Sequence, residues 1–134
     1  LPRSPAGREL EETLTLMERY LHSWCRDTIE IAMEEIRQLA LQIRKFADAR
    51  DWEQFHTPKN LSMAVAGEAG ELVSEFQWLT PEQSMRSGMS PEKLEAIELE
   101  VADVAIYLIR LADVLGLDIS EAVLKKLAIN ETRF

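Results

Sequence analysis

A single cysteine, Cys25, leaves this 134-residue chain without an internal disulfide, and a reducing, cytoplasmic setting is expected. Glycine and proline are scarce, at five each. Long stretches run without either, which works against a turn-rich β fold and favours helices. No apolar run reaches the length of a membrane span, and no signal peptide is read at the start, so no membrane partner is expected. Positive charge is short as well. The net charge of −9 is the reverse of what a nucleic-acid-binding surface usually carries, and no nucleic-acid partner is expected. A phosphate-bearing small molecule remains compatible with this charge, given a cation or a few well-placed lysines and arginines to receive it.

What the chain does have is apolar residues at helical spacing. With 46% hydrophobic residues, disorder of the whole chain is not expected, and the length suits one domain with one core. Residues 1–8 read as a lead-in. Leu10, Thr13, Leu14, Met17, Leu21 and Trp24 predict an amphipathic helix over roughly 9–25. Asp27 with Glu30 forms a candidate capping box for a second helix to about Ala49, striped by Ile29, Met33, Ile36, Leu39, Ile43 and Phe46; one continuous helix through both stretches is the alternative. Arg50 to Asn60 reads as a loop, with Asn60 as cap of a helix to about Leu79. Thr80-Pro81-Glu82-Gln83 reads as a cap and a short turn, and Met85 to Met89 as a flexible link. Ser90-Pro91 starts a long helix to about Leu115, which Gly116 ends. Asp118 with Glu121 opens a last helix through Arg133. No strand-like alternation is present. The expected fold is all-α, a bundle of four to five helices, with residues 1–26 as an N-terminal extension and 27–134 as the main domain.

Two of these helices carry acidic pairs three residues apart, Glu68/Glu71 and Glu100/Asp103. That spacing puts both members of a pair on one face. Most such pairs are solvated surface charges, as Glu82, Glu92, Glu95, Glu98 and Glu121 are expected to be. These two differ in their surroundings. Glu68 follows Leu61-Ser-Met-Ala-Val-Ala-Gly, and Asp103 lies within Val101-Ala-Asp-Val-Ala-Ile-Tyr-Leu-Ile. A charge in an apolar stretch is costly to bury unless it is paired or binds metal. Two facing pairs would make a hard, oxygen-rich site suited to Mg²⁺. Gly67 and Gly70, costly within a helix, suggest close approach of another backbone or a ligand. A di-iron carboxylate bundle is a rival reading, but it needs two E-x-x-H strings on helices, and only Glu53-Gln-Phe-His56 offers one. A non-catalytic helical nucleotide-binding or interaction module is the other.

The sequence also resembles the MazG-like all-α NTP pyrophosphatases, most closely their dCTP pyrophosphatase branch. The resemblance runs over about residues 28–134 and rests on Arg50-Asp-Trp-Glu-Gln-Phe-His56 through Asn60, Gly67-Glu-Ala-Gly-Glu-Leu72, Phe76-Gln-Trp78, Glu100-Val-Ala-Asp103 with Ile106-Tyr-Leu108, and Lys126-Leu-Ala-Ile-Asn130. It implies that Glu68, Glu71, Glu100 and Asp103 are catalytic and hold Mg²⁺ and a nucleoside triphosphate, which water splits into nucleoside monophosphate and pyrophosphate. Glu71 is the favoured base. The resemblance places Lys126 and Asn130 at the phosphates or sugar and Trp52 and Trp78 at the base. Tyr107 is a candidate sugar contact and His56 a candidate nucleotide contact, with core packing and a loop cap as their respective alternatives. It also implies a homo-oligomer, and a tetramer built as a dimer of dimers is expected. One departure concerns Ile43, which aligns with a histidine of the dCTP enzymes. Relatives also continue with a basic tail beyond the position of Phe134.

Overall fold

The computed structural model describes residues 26–134, together with Thr15, Leu16, Glu18 and Arg19. Those four residues are helical. The rest of the helix expected over 9–25, and its junction with the next, lies outside the described residues.

Four α-helices make up most of what is described: α1 (Arg26–Asp48), α2 (Pro58–Ser74), α3 (Pro91–Val114) and α4 (Ile119–Glu131), with a 3-10 turn at Arg86–Gly88 before α3. No strand occurs among the described residues, so the all-α expectation holds. No helix among them is long and apolar enough to cross a membrane. The chain divides into two compact units, Leu1–Leu41 with Leu117–Phe134, and Gln42–Gly116.

The helix starts show which local signals win. α2 begins at Pro58, with Thr57 as N-cap accepting the Asn60 amide on its side chain. The expected cap, Asn60, sits inside the first turn, where its side-chain amide donates to the Phe55 carbonyl at 3.0 Å. Thr57-Pro58 is the same cap-and-proline signal as Ser90-Pro91, where Ser90 Oγ accepts from the Lys93 amide at 3.1 Å. A proline at the first helical position gives up only an amide that has no partner there anyway. α1 is helical from Arg26 among the described residues, and the capping role expected of the Asp27 side chain lies outside them. Asp118 does cap α4, its Oδ1 accepting from the Glu121 amide at 3.0 Å.

The helix ends differ from expectation more. α2 stops at Ser74, with Glu75 as C-cap, rather than at Leu79. Ser74 Oγ donates back to the Glu71 carbonyl, a local bond that competes with helix propagation. Thr80 and Gln83 then form a reciprocal capping box, Thr80 N to Gln83 Oε1 at 2.9 Å and Gln83 N to Thr80 Oγ1 at 3.2 Å. The stretch at 85–89, expected as a flexible link, is instead a defined 3-10 turn. Gly88 fits there because a Cβ would meet the Gln83 and Glu82 carbonyl oxygens at 3.2 and 3.3 Å. Gly116 ends α3 as expected, in the left-handed conformation at φ +66.

Within the unit Gln42–Gly116, α2 and α3 pack on each other. Lys93, near the start of α3, reaches Glu75 just past the end of α2, and Arg110, near the end of α3, reaches His56 just before α2 starts. The two helices are therefore antiparallel. Leu61, 1% exposed, Ile109 and Ala47 are the buried apolar residues described in this unit. In the other unit, Ala128 of α4 is buried. There Arg37 Nε and Nη2 hold Asp118 Oδ2 at 3.1 and 3.0 Å, tying α1 to the cap of α4.

Candidate functional site: a carboxylate cluster on an antiparallel helix pair

The antiparallel register of α2 and α3 sets the middle of one helix against the middle of the other. That is where the acids lie. One carboxylate oxygen from each of Glu68, Glu71 and Glu100 falls within 4.8 Å of the other two. The i, i+3 spacing puts Glu68 and Glu71 on one face of α2, and α3 brings Glu100 to them. Asp103, the fourth expected member, is exposed on α3 and is outside this group of three, though its charge still reaches Glu68 and Glu100.

Glu68 and Glu100 are half-buried and Glu71 is exposed, so the apolar flanks do not bury all four acids as the sequence suggests. The carboxyl of Glu68 is pushed above its ordinary range, first by desolvation and then by the charges of Glu71, Asp103 and Glu100. That of Glu100 is raised by desolvation and by Glu71, Asp103 and Glu75. Glu100 Oε2 is buried and has no hydrogen-bond partner among the described residues. A buried oxygen without a donor is costly and calls for an explanation. A hard divalent cation supplies one: an all-oxygen donor set with an unsatisfied carboxylate oxygen matches its preference. On that ground Glu68, Glu71 and Glu100 fit a cation, with Asp103 beside them. Beyond them Lys93 Nζ pairs with Glu75 Oε2 at 2.5 Å.

Gly67 and Gly70 flank Glu68, but nothing lies within 4 Å of where their Cβ atoms would be. The close approach of another backbone expected there is not found among the described residues.

The remaining expected residues are placed as follows. Trp52 stands edge-on to Phe46, ring centroids 5.7 Å apart, and 5.9 Å from the His56 ring. Arg50 lies over the Phe46 ring at 3.4 Å. The Trp52 amide donates to Ala47 O and the His56 amide to Trp52 O, at 3.1 and 3.0 Å, so the loop is held by its backbone. Glu53-Gln-Phe-His56 therefore sits in this turn and not on an α-helix, which removes the di-iron geometry. Trp78 is beyond the end of α2 and 87% exposed. Tyr107 is half-buried on α3, and Ile43 half-buried on α1. Lys126 (exposed) and Asn130 (half-buried) share a face of α4, in the unit that includes Leu117–Phe134.

A second polar cluster escaped the sequence reading. Arg110, 5% exposed, is the buried charged residue among those described. Its Nη1 donates to Asp113 Oδ2 at 2.7 Å and its Nε to His56 Nδ1 at 3.2 Å. Arg44 grips the same Asp113 with two donors, Nε to Oδ2 at 3.0 Å and Nη2 to Oδ1. The Arg44 hydrogen bonds hold the Asp113 carboxyl below its usual range despite burial, with Arg110 adding to the effect. His56 is held low by burial and by the charge of Arg110. A signal was available: Arg110 is a lone charge in Ile109-Arg-Leu111, the same oddity that singled out Asp103.

Comparison with known proteins bears on the whole arrangement. The chain is 45% identical to human dCTP pyrophosphatase 1 and 42% identical to the bovine protein of that name, in both cases over 105 residues, which is 78% of this chain and 60% of the relative. It thus spans about 60% of the length of the curated relatives it matches. A crystal structure of a pyrophosphatase from Archaeoglobus fulgidus superposes with a TM-score of 0.68 at 35% identity, covering 75% of this chain and 92% of that one. The model of the MazG-like family matches residues 64–134, which takes in the whole carboxylate cluster and everything after it, and the chain belongs to that family.

Proposed function

We propose that this protein is a divalent-cation-dependent nucleoside triphosphate pyrophosphohydrolase that favours dCTP or related deoxynucleotides and acts in the cytoplasm. The observation that carries the reading is the convergence of Glu68, Glu71 and Glu100, one of whose oxygens is buried without a partner among the described residues. The names of the relatives support the substrate class. The lone cysteine supports the compartment.

Glu68, Glu71, Glu100 and Asp103 would hold the cation, Mg²⁺ in this reading. When bound, it supplies neutralisation of the phosphate oxygens and acidification of a nearby water. The chain's own work is positioning and proton transfer. Glu71 is the exposed member of the three, and it accepts the proton of a water that attacks the α-phosphorus. Pyrophosphate leaves, and nucleoside monophosphate remains. Glu68 and Glu100, with raised pKa values, favour binding positive charge between them. Trp52 and Trp78 offer flat faces to the base, a contact generally worth about 1–3 kcal/mol per base. His56 and Tyr107 contribute polar contacts to the nucleotide. Lys126 and Asn130 contact the phosphates or sugar, a role that rests on the sequence resemblance alone.

The functional form in this reading is a homo-oligomer, a tetramer built as a dimer of dimers. Supporting it, Met63 and Val73 on α2 and Leu99 and Val101 on α3 are each at least 50% exposed, and among the described residues nothing lies within 4 Å of a Cβ placed at Gly67 or Gly70. Such apolar exposure on two helices is more than a monomer ordinarily leaves to water. Light scattering at micromolar concentration tests it, and a monomer mass contradicts it. The activity is tested by a turnover panel over all ribo- and deoxynucleoside triphosphates with Mg²⁺, repeated in excess chelator. Release of pyrophosphate, fastest with dCTP and lost in chelator, is the expected result. No turnover of any nucleotide, or turnover undiminished by chelator, overturns the reading.

A further inference from the structure

Arginine has donors and no acceptor, and it keeps its proton at any ordinary pH. When Arg110 Nε lies 3.2 Å from His56 Nδ1, the lone pair must therefore be on Nδ1. A neutral imidazole has one donor and one acceptor nitrogen, so the proton of His56 sits on Nε2. We propose that Arg110 is a positioning residue that fixes His56 as a neutral Nε2–H donor, presenting one hydrogen bond to an acceptor atom of the nucleotide.

The geometry around Arg110 makes this contact rigid. Its Nη1 is anchored on Asp113, which Arg44 clamps from α1. The guanidinium is held in a fixed fork and cannot turn away without stranding a buried charge. On the other side, the His56 ring leans against Trp52, and its backbone amide is bonded to Trp52 O. Ring and tautomer are set together, beside one of the aromatic faces proposed for the base. Protonation of His56 would break its bond to Arg110 and place two cations in contact. Arg110 is the charged group that touches the ring, with Asp113 and Arg44 behind it. The low pKa of His56 agrees with this arrangement. His56 thus serves as a donor to a carbonyl oxygen, ring nitrogen or phosphate oxygen, and not as an acid or base in the hydrolysis.

The inference rests on the pyrophosphohydrolase reading for the ligand, but its first test does not need a ligand. The full chain labelled with ¹⁵N-histidine has two histidines, His22 and His56, and His56→Gln assigns them. Long-range ¹H–¹⁵N spectra at pH 7 are expected to show His56 with an unprotonated Nδ1 and a protonated Nε2. In Arg110→Met the two nitrogens are expected to average as the tautomers mix. A protonated Nδ1 in the parent protein overturns the proposal. The second test is kinetic. Arg110→Met and His56→Ala are each expected to raise KM for dCTP about tenfold, the loss of one hydrogen bond, with kcat little changed. The double variant should be no worse than either. His56→Gln, whose amide nitrogen stands near the place of Nε2, should recover affinity that His56→Asn does not; this comparison serves even if Arg110→Met folds poorly. Additive effects, or equal behaviour of the Gln and Asn variants, overturn the recognition role. A parent protein that cleaves no nucleoside triphosphate refutes the underlying reading and this recognition role with it, whereas the tautomer result stands or falls by the spectrum.

Discussion

Glu68 on α2 and Glu100 on α3 meet across the helix pair with carboxylate oxygens within 4.8 Å; desolvation raises both carboxyls, and the charge of Glu100 adds to the rise at Glu68. A pair of like charges held this way opposes the packing that brings it together. Removing one is expected to relieve that opposition. In the absence of metal, Glu100→Gln should melt higher than the parent while hydrolysis is lost. A lower Tm for Glu100→Gln in a metal-free melt would show that the acid is a structural group.

The same shifts give the pH dependence a sign. A carboxyl whose folded-state pKa is raised binds more protons folded than unfolded. Stability therefore increases as pH falls through the raised pKa, and the gain levels off at the ordinary glutamate value, about 4.3. The metal-free protein should thus gain Tm on acidification from neutral towards that value. Asp113 acts oppositely. Its lowered pKa gives stability that is present above the ordinary aspartate pKa, about 3.9, and lost as pH falls through the folded value. Asp118 behaves likewise: burial pushes it up, but its Glu121 amide bond and Arg37 outweigh that. Thermal melts between pH 3 and 8 in chelator should show a maximum on the acid side of neutrality. A monotonic fall from pH 7 downward would contradict it.

Divalent cation should cancel the repulsion. Adding Mg²⁺ is expected to raise Tm in proportion to the logarithm of its concentration once the site is saturated. The increment should vanish in Glu71→Ala. An equal increment in parent and variant would place the cation elsewhere.

The Arg110 cluster makes the contrast between buried and exposed partners measurable. Asp113→Ala leaves Arg110 buried without its carboxylate, at a cost of about 3 kcal/mol or more by urea unfolding. Arg44→Ala removes the exposed partner, half of whose side chain is in solvent, and should cost far less because solvent screens that pair. Equal costs would mean that Arg110 is not the group the aspartate stabilises.

Two glycines, one on α2 and one in a packed turn, differ in their surroundings. Gly88→Ala should destabilise by about 1–2 kcal/mol, because its Cβ would press on two backbone carbonyls. Gly70→Ala meets nothing within 4 Å among the described residues and should stabilise an isolated protomer by about 0.5–1 kcal/mol through helix propensity alone. A loss of stability in Gly70→Ala that grows with protein concentration would show a second copy lying on that face.

Helix type was legible because apolar spacing and caps agreed at Ser90-Pro91, Gly116 and Asp118. The boundaries misread were those where two local signals competed: Asn60 against Thr57-Pro58, and the continued apolar stripe after Ser74 against a serine that bonds back to the chain. The acid pairs were legible from their i, i+3 spacing, and packing decided what spacing could not, that Asp103 stays outside the group of three. Arg110 escaped because, although Asp113 lies one turn along the same helix, its other partner His56 and the Arg44 that clamps Asp113 come from the loop before α2 and from α1, and only folding brings those segments to α3. The tautomer of His56 cannot be read from a sequence at all, since it depends on which nitrogen finds a donor.

Hydrolysis of dCTP in H₂¹⁸O with Mg²⁺, followed by ³¹P spectra of the products, tests most directly whether water attacks the α-phosphorus beside these carboxylates. The account predicts dCMP carrying the label and unlabelled pyrophosphate, with no orthophosphate formed. Label in orthophosphate or in pyrophosphate, or no cleavage of dCTP or any other nucleoside triphosphate, would contradict it.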